Sequence, residues 1–157
     1  MKTYQELWQS LTPLYEASEA QAIVRLVLEV KYGMTLTDII GGKVNELSAD
    51  EGKKLEEIIE RLQNAEPVQY VLGQTDFMGM TFHVEPGVLI PRPETAELCQ
   101  WIIDTEKEKM EKAQLLLHTQ DTKRPNMGKG EGLYELRIVD FCTGSGCIAI
   151  TLNLSIP

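Results

Sequence analysis

The 157-residue chain carries 15 Lys and Arg against 24 Asp and Glu, a net charge of −9, with 43% apolar and 25% charged residues. That balance belongs to a soluble globular chain rather than a disordered one. It argues against a nonspecific DNA-binding role, because phosphate neutralisation supplies most of that affinity.

The acidity is spread evenly, with 7 basic and 12 acidic residues in 1–66 and 8 and 12 in 67–157, so no basic patch emerges. No run of 18 or more apolar residues could cross a membrane, and the Met1-Lys2-Thr3 start lacks the apolar core of a secretory signal. The expected location is the cytoplasm, with no membrane partner. Cys99, Cys142 and Cys147 fit neither an even disulfide framework nor a CxxC metal knuckle, so reduced thiols and no metal are expected.

The first 66 residues read as helices. Tyr4, Leu7, Trp8 and Leu11 fall at helical spacing, limited by Pro13. Residues 18–30 place Ala22, Ile23, Leu26, Val27 and Val30 on one broad face, and Gly33 is a natural stop. A short segment at 36–40 ends at Gly41-Gly42. Ser48-Ala49-Asp50-Glu51 is a capping box opening a helix that buries Leu55, Ile58, Ile59 and Leu62 and finishes before Pro67.

At Pro67 the grammar changes. Residues 68–73 and 77–84, rich in aromatic, β-branched and glycine residues, suggest two strands joined as a hairpin. Two prolines then bracket Arg92 in Pro91-Arg92-Pro93-Glu94-Thr95, and a helix opens at Glu94 or Thr95 and runs through Leu98, Trp101, Ile102 and Ile103. The charged run 105–112 extends it as a solvated face, and 120–132 reads as a mobile surface loop. The chain closes with a strand at 136–141, a glycine turn at 143–146 and a helix at 148–154.

Two constellations could carry chemistry. A Gly-x-Gly turn after a strand lets backbone N–H groups and a helix N-terminus approach a ligand, although Thr143-Gly144-Ser145-Gly146 alone is equally a tight turn. Asp140, at the strand's end, reads as a loop-orienting carboxylate. The 91–95 turn is a rigid loop with an N-capped helix, or a device that pre-orders Arg92 and Thr95 near a ligand. His83 and His118 have no nucleophile or metal-ligand partner in sequence and read as structural.

Taken together, Glu66-Pro67-Val68-Gln69-Tyr70, Gly73, Phe77, Gly79, Phe82, Val84 and the run from Pro86 to Thr95 resemble the release factor glutamine methyltransferases of the HemK/PrmC type. The segment from Asp140 to Gly146 looks like that family's S-adenosylmethionine-binding motif, and the helical N-terminus fits its substrate-recognition bundle. The resemblance implies transfer of a methyl group from S-adenosylmethionine to the side-chain amide of the glutamine in the Gly-Gly-Gln loop of a peptide chain release factor. An amide nitrogen is a poor nucleophile, so such a site must hold it in line with the sulfonium methyl.

The resemblance also implies roles. Asp140, Cys142, Thr143, Gly144 and Gly146 would contact the cofactor, and Arg92, Pro93, Glu94 and Thr95 would shape the site. It implies an α+β chain: a helical recognition bundle over 1–65, a β-hairpin connector over 66–93, and over 94–157 the first strand and glycine loop of a Rossmann-like α/β methyltransferase domain.

The sequence also departs from the family pattern. The Asn-Pro-Pro-Tyr motif and the acidic residue that takes the cofactor's ribose are absent, Cys142 stands where relatives carry glycine, Ala96 replaces a common acidic residue, and 104–135 is longer than usual. The expectation is therefore the N-terminal part of such an enzyme, with weak or no cofactor binding, no catalytic residue and negligible activity alone. Its 136–141 strand would lack its usual partners and pair with the hairpin or another copy of the chain, or stay poorly ordered. A competing reading is a release-factor-binding helical module without catalysis. A fragment of a DNA adenine methyltransferase shares the cofactor loop but not the acidic balance. A Rossmann oxidoreductase is weaker still, since Cys142 and Cys147 break the G-x-G-x-x-G pattern.

Overall fold

A computed structural model describes residues 2–120, 136–141 and 143–156. The loop expected over 120–132 lies, beyond its first residue, outside the described residues, as do Cys142 and the side chain of His118. The chain divides into two compact units, residues 1–75 with 83–87, and residues 76–82 with 88–157.

The first unit is helical. α1 (Tyr4–Gln9), α2 (Ala17–Tyr32), α3 (Leu36–Ile40), a 3-10 turn (Lys43–Glu46), α4 (Ala49–Gln63) and α5 (Val68–Leu72) follow in order. Its core is the buried set around Leu7, Leu11, Val24, Leu28, Leu55 and Leu62, each at most 1–2% exposed. The Ser48–Glu51 capping box forms as its spacing requires. Two more boxes, Thr3 with Glu6 and Thr35 with Asp38, open α1 and α3. Gly33 closes α2 in the left-handed region at φ 62°, with Met34 N–H bonded to Leu28 C=O.

Two expectations need correction here. The buried stripe of α2 is Ala20, Val24, Val27 and Leu28, so Leu26 and Val30 are 37% and 38% exposed and Ala22 is exposed. The i, i+4, i+7, i+8 set beginning at Ala20 gives the face that packs. Residues 68–72 are a helix, not a strand. Pro67 C=O accepts from Tyr70 N–H and Val71 N–H, Gly73 closes the turn at φ 74°, and Val71 and Leu72 are buried in the bundle core. Burial of two apolar side chains outweighs the weak β preference of five residues.

The hairpin consequently falls later. β1 (Gln74–Phe77) and β2 (Met80–His83) form a two-stranded antiparallel sheet. Met78 and Gly79, at φ 51° and 76°, make the two-residue turn that matches strand twist. Phe77 and Phe82 meet edge to face, with ring centroids 6.0 Å apart.

In the second unit α6 (Pro93–Gln120) packs on α7 (Cys147–Ser155). Pro93 sits in the first turn, where its missing N–H costs nothing, and the charged run continues the helix. Phe77, Phe82, Cys99, Ile103, Cys147 and Leu152 form the core. Residues 136–141 take no regular structure, so the strand expected there is not formed. Among the described residues β1 and β2 pair only with each other, which leaves this segment without a ladder to join.

Candidate functional site

The glycine loop is organised by Thr143. Its hydroxyl donates to Asp140 Oδ2 at 2.9 Å, and its carbonyl accepts from Gly146 N–H at 2.9 Å. Gly144 and Gly146 lie at φ 57° and 78°, which L side chains rarely adopt. A Cβ on Gly146 would also stand 3.2 Å from Ile150 Cδ1. The loop therefore ends where α7 starts, with Ile150 N–H making the first helical bond to Gly146 C=O and no side chain capping the N-terminus. The uncapped N–H groups and the Asp140 carboxylate oxygen left without a partner among the described residues suit a ligand that carries both acceptors and donors.

Beneath the loop lies a residue that the sequence did not single out for this place. Cys99 of α6 is fully buried, and burial, then the neighbouring Cys147 thiol and Asp140 carboxylate, pushes its thiol pKa up. A buried thiol held protonated is inert packing, not a nucleophile. The apolar i, i+4 pair of Cys99 with Ile103 was the available signal.

Pro91-Arg92-Pro93-Glu94-Thr95 forms the start of α6. Arg92 C=O accepts from Thr95 N–H at 3.0 Å and Ala96 N–H at 3.4 Å. The side chains of Arg92, Pro93 and Glu94 are exposed and that of Thr95 is half-buried. Among the described residues Arg92 and Glu94 form no ion pair, and no hydrogen bond joins this turn to the glycine loop. Asp140 and Thr143 are thus brought together, whereas no hydrogen bond among the described residues ties Arg92 and its neighbours to them. No described helix is long and apolar enough to cross a membrane.

The helical bundle matches the family model described as PrmC N-terminal domain over residues 7–73. The release factor glutamine methyltransferase of Bacteroides thetaiotaomicron is 40% identical over 149 residues, covering 95% of this chain and 44% of that protein. Over almost its whole length the chain is similar to release factor glutamine methyltransferases. Those from Flavobacterium psychrophilum and Bacillus subtilis are 32% and 30% identical over 95% and 98% of the chain. In each case it spans less than half of the relative, 45% and 47% respectively. Both the bundle and the glycine loop thus lie within a release factor glutamine methyltransferase match that runs almost the whole chain.

Proposed function

We propose that this chain supplies the release-factor-recognition bundle and the first cofactor contact of a release factor N5-glutamine methyltransferase that uses S-adenosylmethionine. One observation carries the reading: a helical unit that matches the PrmC N-terminal domain and a formed glycine turn share one chain aligned over 95% of its length with such enzymes. The partner is a peptide chain release factor in the cytoplasm, without DNA or membrane. The chain partitions into the bundle over 1–65, a connector over 66–93 and a methyltransferase segment over 94–157.

Asp140, Cys142, Thr143, Gly144 and Gly146 face the cofactor, and Arg92, Pro93, Glu94 and Thr95 shape the approach to it. The tight Gly146 turn and the carboxylate of Asp140 fit the amino acid moiety of S-adenosylmethionine, which offers an ammonium donor and a carboxylate acceptor. That cofactor would supply the transferable sulfonium methyl. Lacking the Asn-Pro-Pro-Tyr motif, this sequence has nothing to align the amide with it, so the chain alone is inactive and holds the cofactor weakly. Incubating purified chain with methyl-labelled S-adenosylmethionine and a release factor should leave the glutamine unlabelled. Label on that glutamine would overturn the claim of inactivity.

The second reading, a release-factor-binding module without catalysis, is favoured by the bundle's own contiguous core. Self-association belongs to either reading. Val139 and Phe141, 73% and 85% exposed, lie in a segment with a strand's composition but no regular structure. Sedimentation should show dimers growing with concentration. A monomer with deep exchange protection over 138–141 contradicts it.

A further inference from the structure

We infer that Thr143 is a positioning residue that acts through Asp140 rather than by offering its own hydroxyl to the ligand. The inference rests on the reading of 140–146 as a cofactor contact. The hydroxyl proton of Thr143 is already committed to Asp140 Oδ2 at 2.9 Å. Its carbonyl is equally committed, to Gly146 N–H. With its hydroxyl proton and its carbonyl both engaged inside the loop, Thr143 has no side-chain donor left for a ligand.

The consequence for Asp140 is specific. One carboxylate oxygen is tied down, which fixes the side-chain rotamer and leaves Oδ1 as the oxygen without a partner among the described residues. A free carboxylate would sample several rotamers and offer either oxygen. The clasped one presents a single acceptor in one direction, and this preorganisation lowers the ordering cost of binding. Thr143 is itself exposed, so altering it opens no cavity in the core.

Two properties of the clasp separate it from ordinary packing. It needs a hydroxyl and not a methyl group, so Thr143→Ser retains it and the near-isosteric Thr143→Val abolishes it. It also works only through the carboxylate, so the two residues form one thermodynamic unit.

The test is a titration of the full chain with S-adenosylhomocysteine, followed through the amide resonances of Gly144 and Gly146 by ¹H–¹⁵N correlation spectroscopy. Thr143→Val should weaken the response about tenfold, the size of one charge-assisted hydrogen bond, and Thr143→Ser should restore it. In an Asp140→Ala background Thr143→Val should cause no further loss. All variants should keep the wild-type melting midpoint. A wild-type chain whose glycine amides ignore the ligand removes the cofactor reading and this inference together. A responsive wild type matched by Thr143→Val, or a second loss added in the Asp140→Ala background, overturns the inference alone.

Discussion

Lys31, in the last turn of α2, reaches across to donate its ammonium to the carbonyl of Leu72 at 2.9 Å, the last residue of α5. Five-residue helices are marginal on their own. This one is held by Pro67 at its start, Gly73 at its end, the burial of Val71 and Leu72, and a cation on its exposed-carbonyl end. Lys31→Met keeps the aliphatic stem and removes the donor. It should destabilise the bundle by about 1 kcal/mol in urea unfolding, and amide exchange should quicken first at 68–72. Unchanged exchange there would show that the bond holds nothing.

Ala65 offers a gain rather than a loss. It sits at φ 60° just beyond α4, where Glu66 N–H bonds to Arg61 C=O. This is the position where helices favour glycine. Ala65→Gly should raise stability by roughly 0.5–1 kcal/mol, the left-handed strain relieved less the added freedom of the unfolded chain. The denaturation midpoint checks this, and a decrease would contradict it.

Thr151 is fully buried on α7, and its hydroxyl has no hydrogen-bond partner among the described residues. Replacing it with valine keeps the shape and removes an unsatisfied polar atom. Thr151→Val should stabilise the second unit by about 1 kcal/mol, seen as a higher melting midpoint. A lower midpoint would mean that the hydroxyl is bonded.

The capping boxes set an acid limit. Hydrogen bonds from the Thr35 hydroxyl and backbone N–H, with Lys43 beyond them, hold the Asp38 carboxyl at about 2. Ser48 lowers Glu51 in the same way, Thr3 lowers Glu6, and the Arg61 guanidinium lowers Glu66. All four are depressed in the folded state, so their contribution is complete above the ordinary carboxylate range and is lost as pH falls through the folded values. Helicity followed by circular dichroism should fall on the acid side, below about pH 4. Ser48→Ala, costing about 1 kcal/mol, should move that transition to higher pH. An unmoved transition would exclude the boxes as its cause.

The long periodic helices were legible because several signals agree on them. Ser48 and Glu51 begin α4, Gly33 ends α2, and apolar spacing fills both. The boxes at Thr3 and Thr35 follow the same rule and could have been read, though Thr35 uses Asp38 in place of glutamate. What misled was short-range preference without tertiary context. Residues 68–72 look extended until the bundle core claims Val71 and Leu72. The hairpin turn is hidden because Met78, rather than asparagine or glycine, occupies its left-handed first position. Residues 136–141 have a strand's composition, but a strand exists only with a neighbour. At the candidate site the glycines were visible and their loop role follows from positive φ. The Thr143 to Asp140 clasp could not be read from spacing alone.

The proposed function sets a release-factor-binding helical bundle beside a glycine loop expected to hold the cofactor only weakly. Isothermal titration of the purified 157-residue chain with a peptide chain release factor, and separately with S-adenosylmethionine, examines both halves of that proposal. Saturable binding of the release factor and weak but measurable binding of the cofactor are expected. No interaction with the release factor, alongside tight cofactor binding, would contradict it.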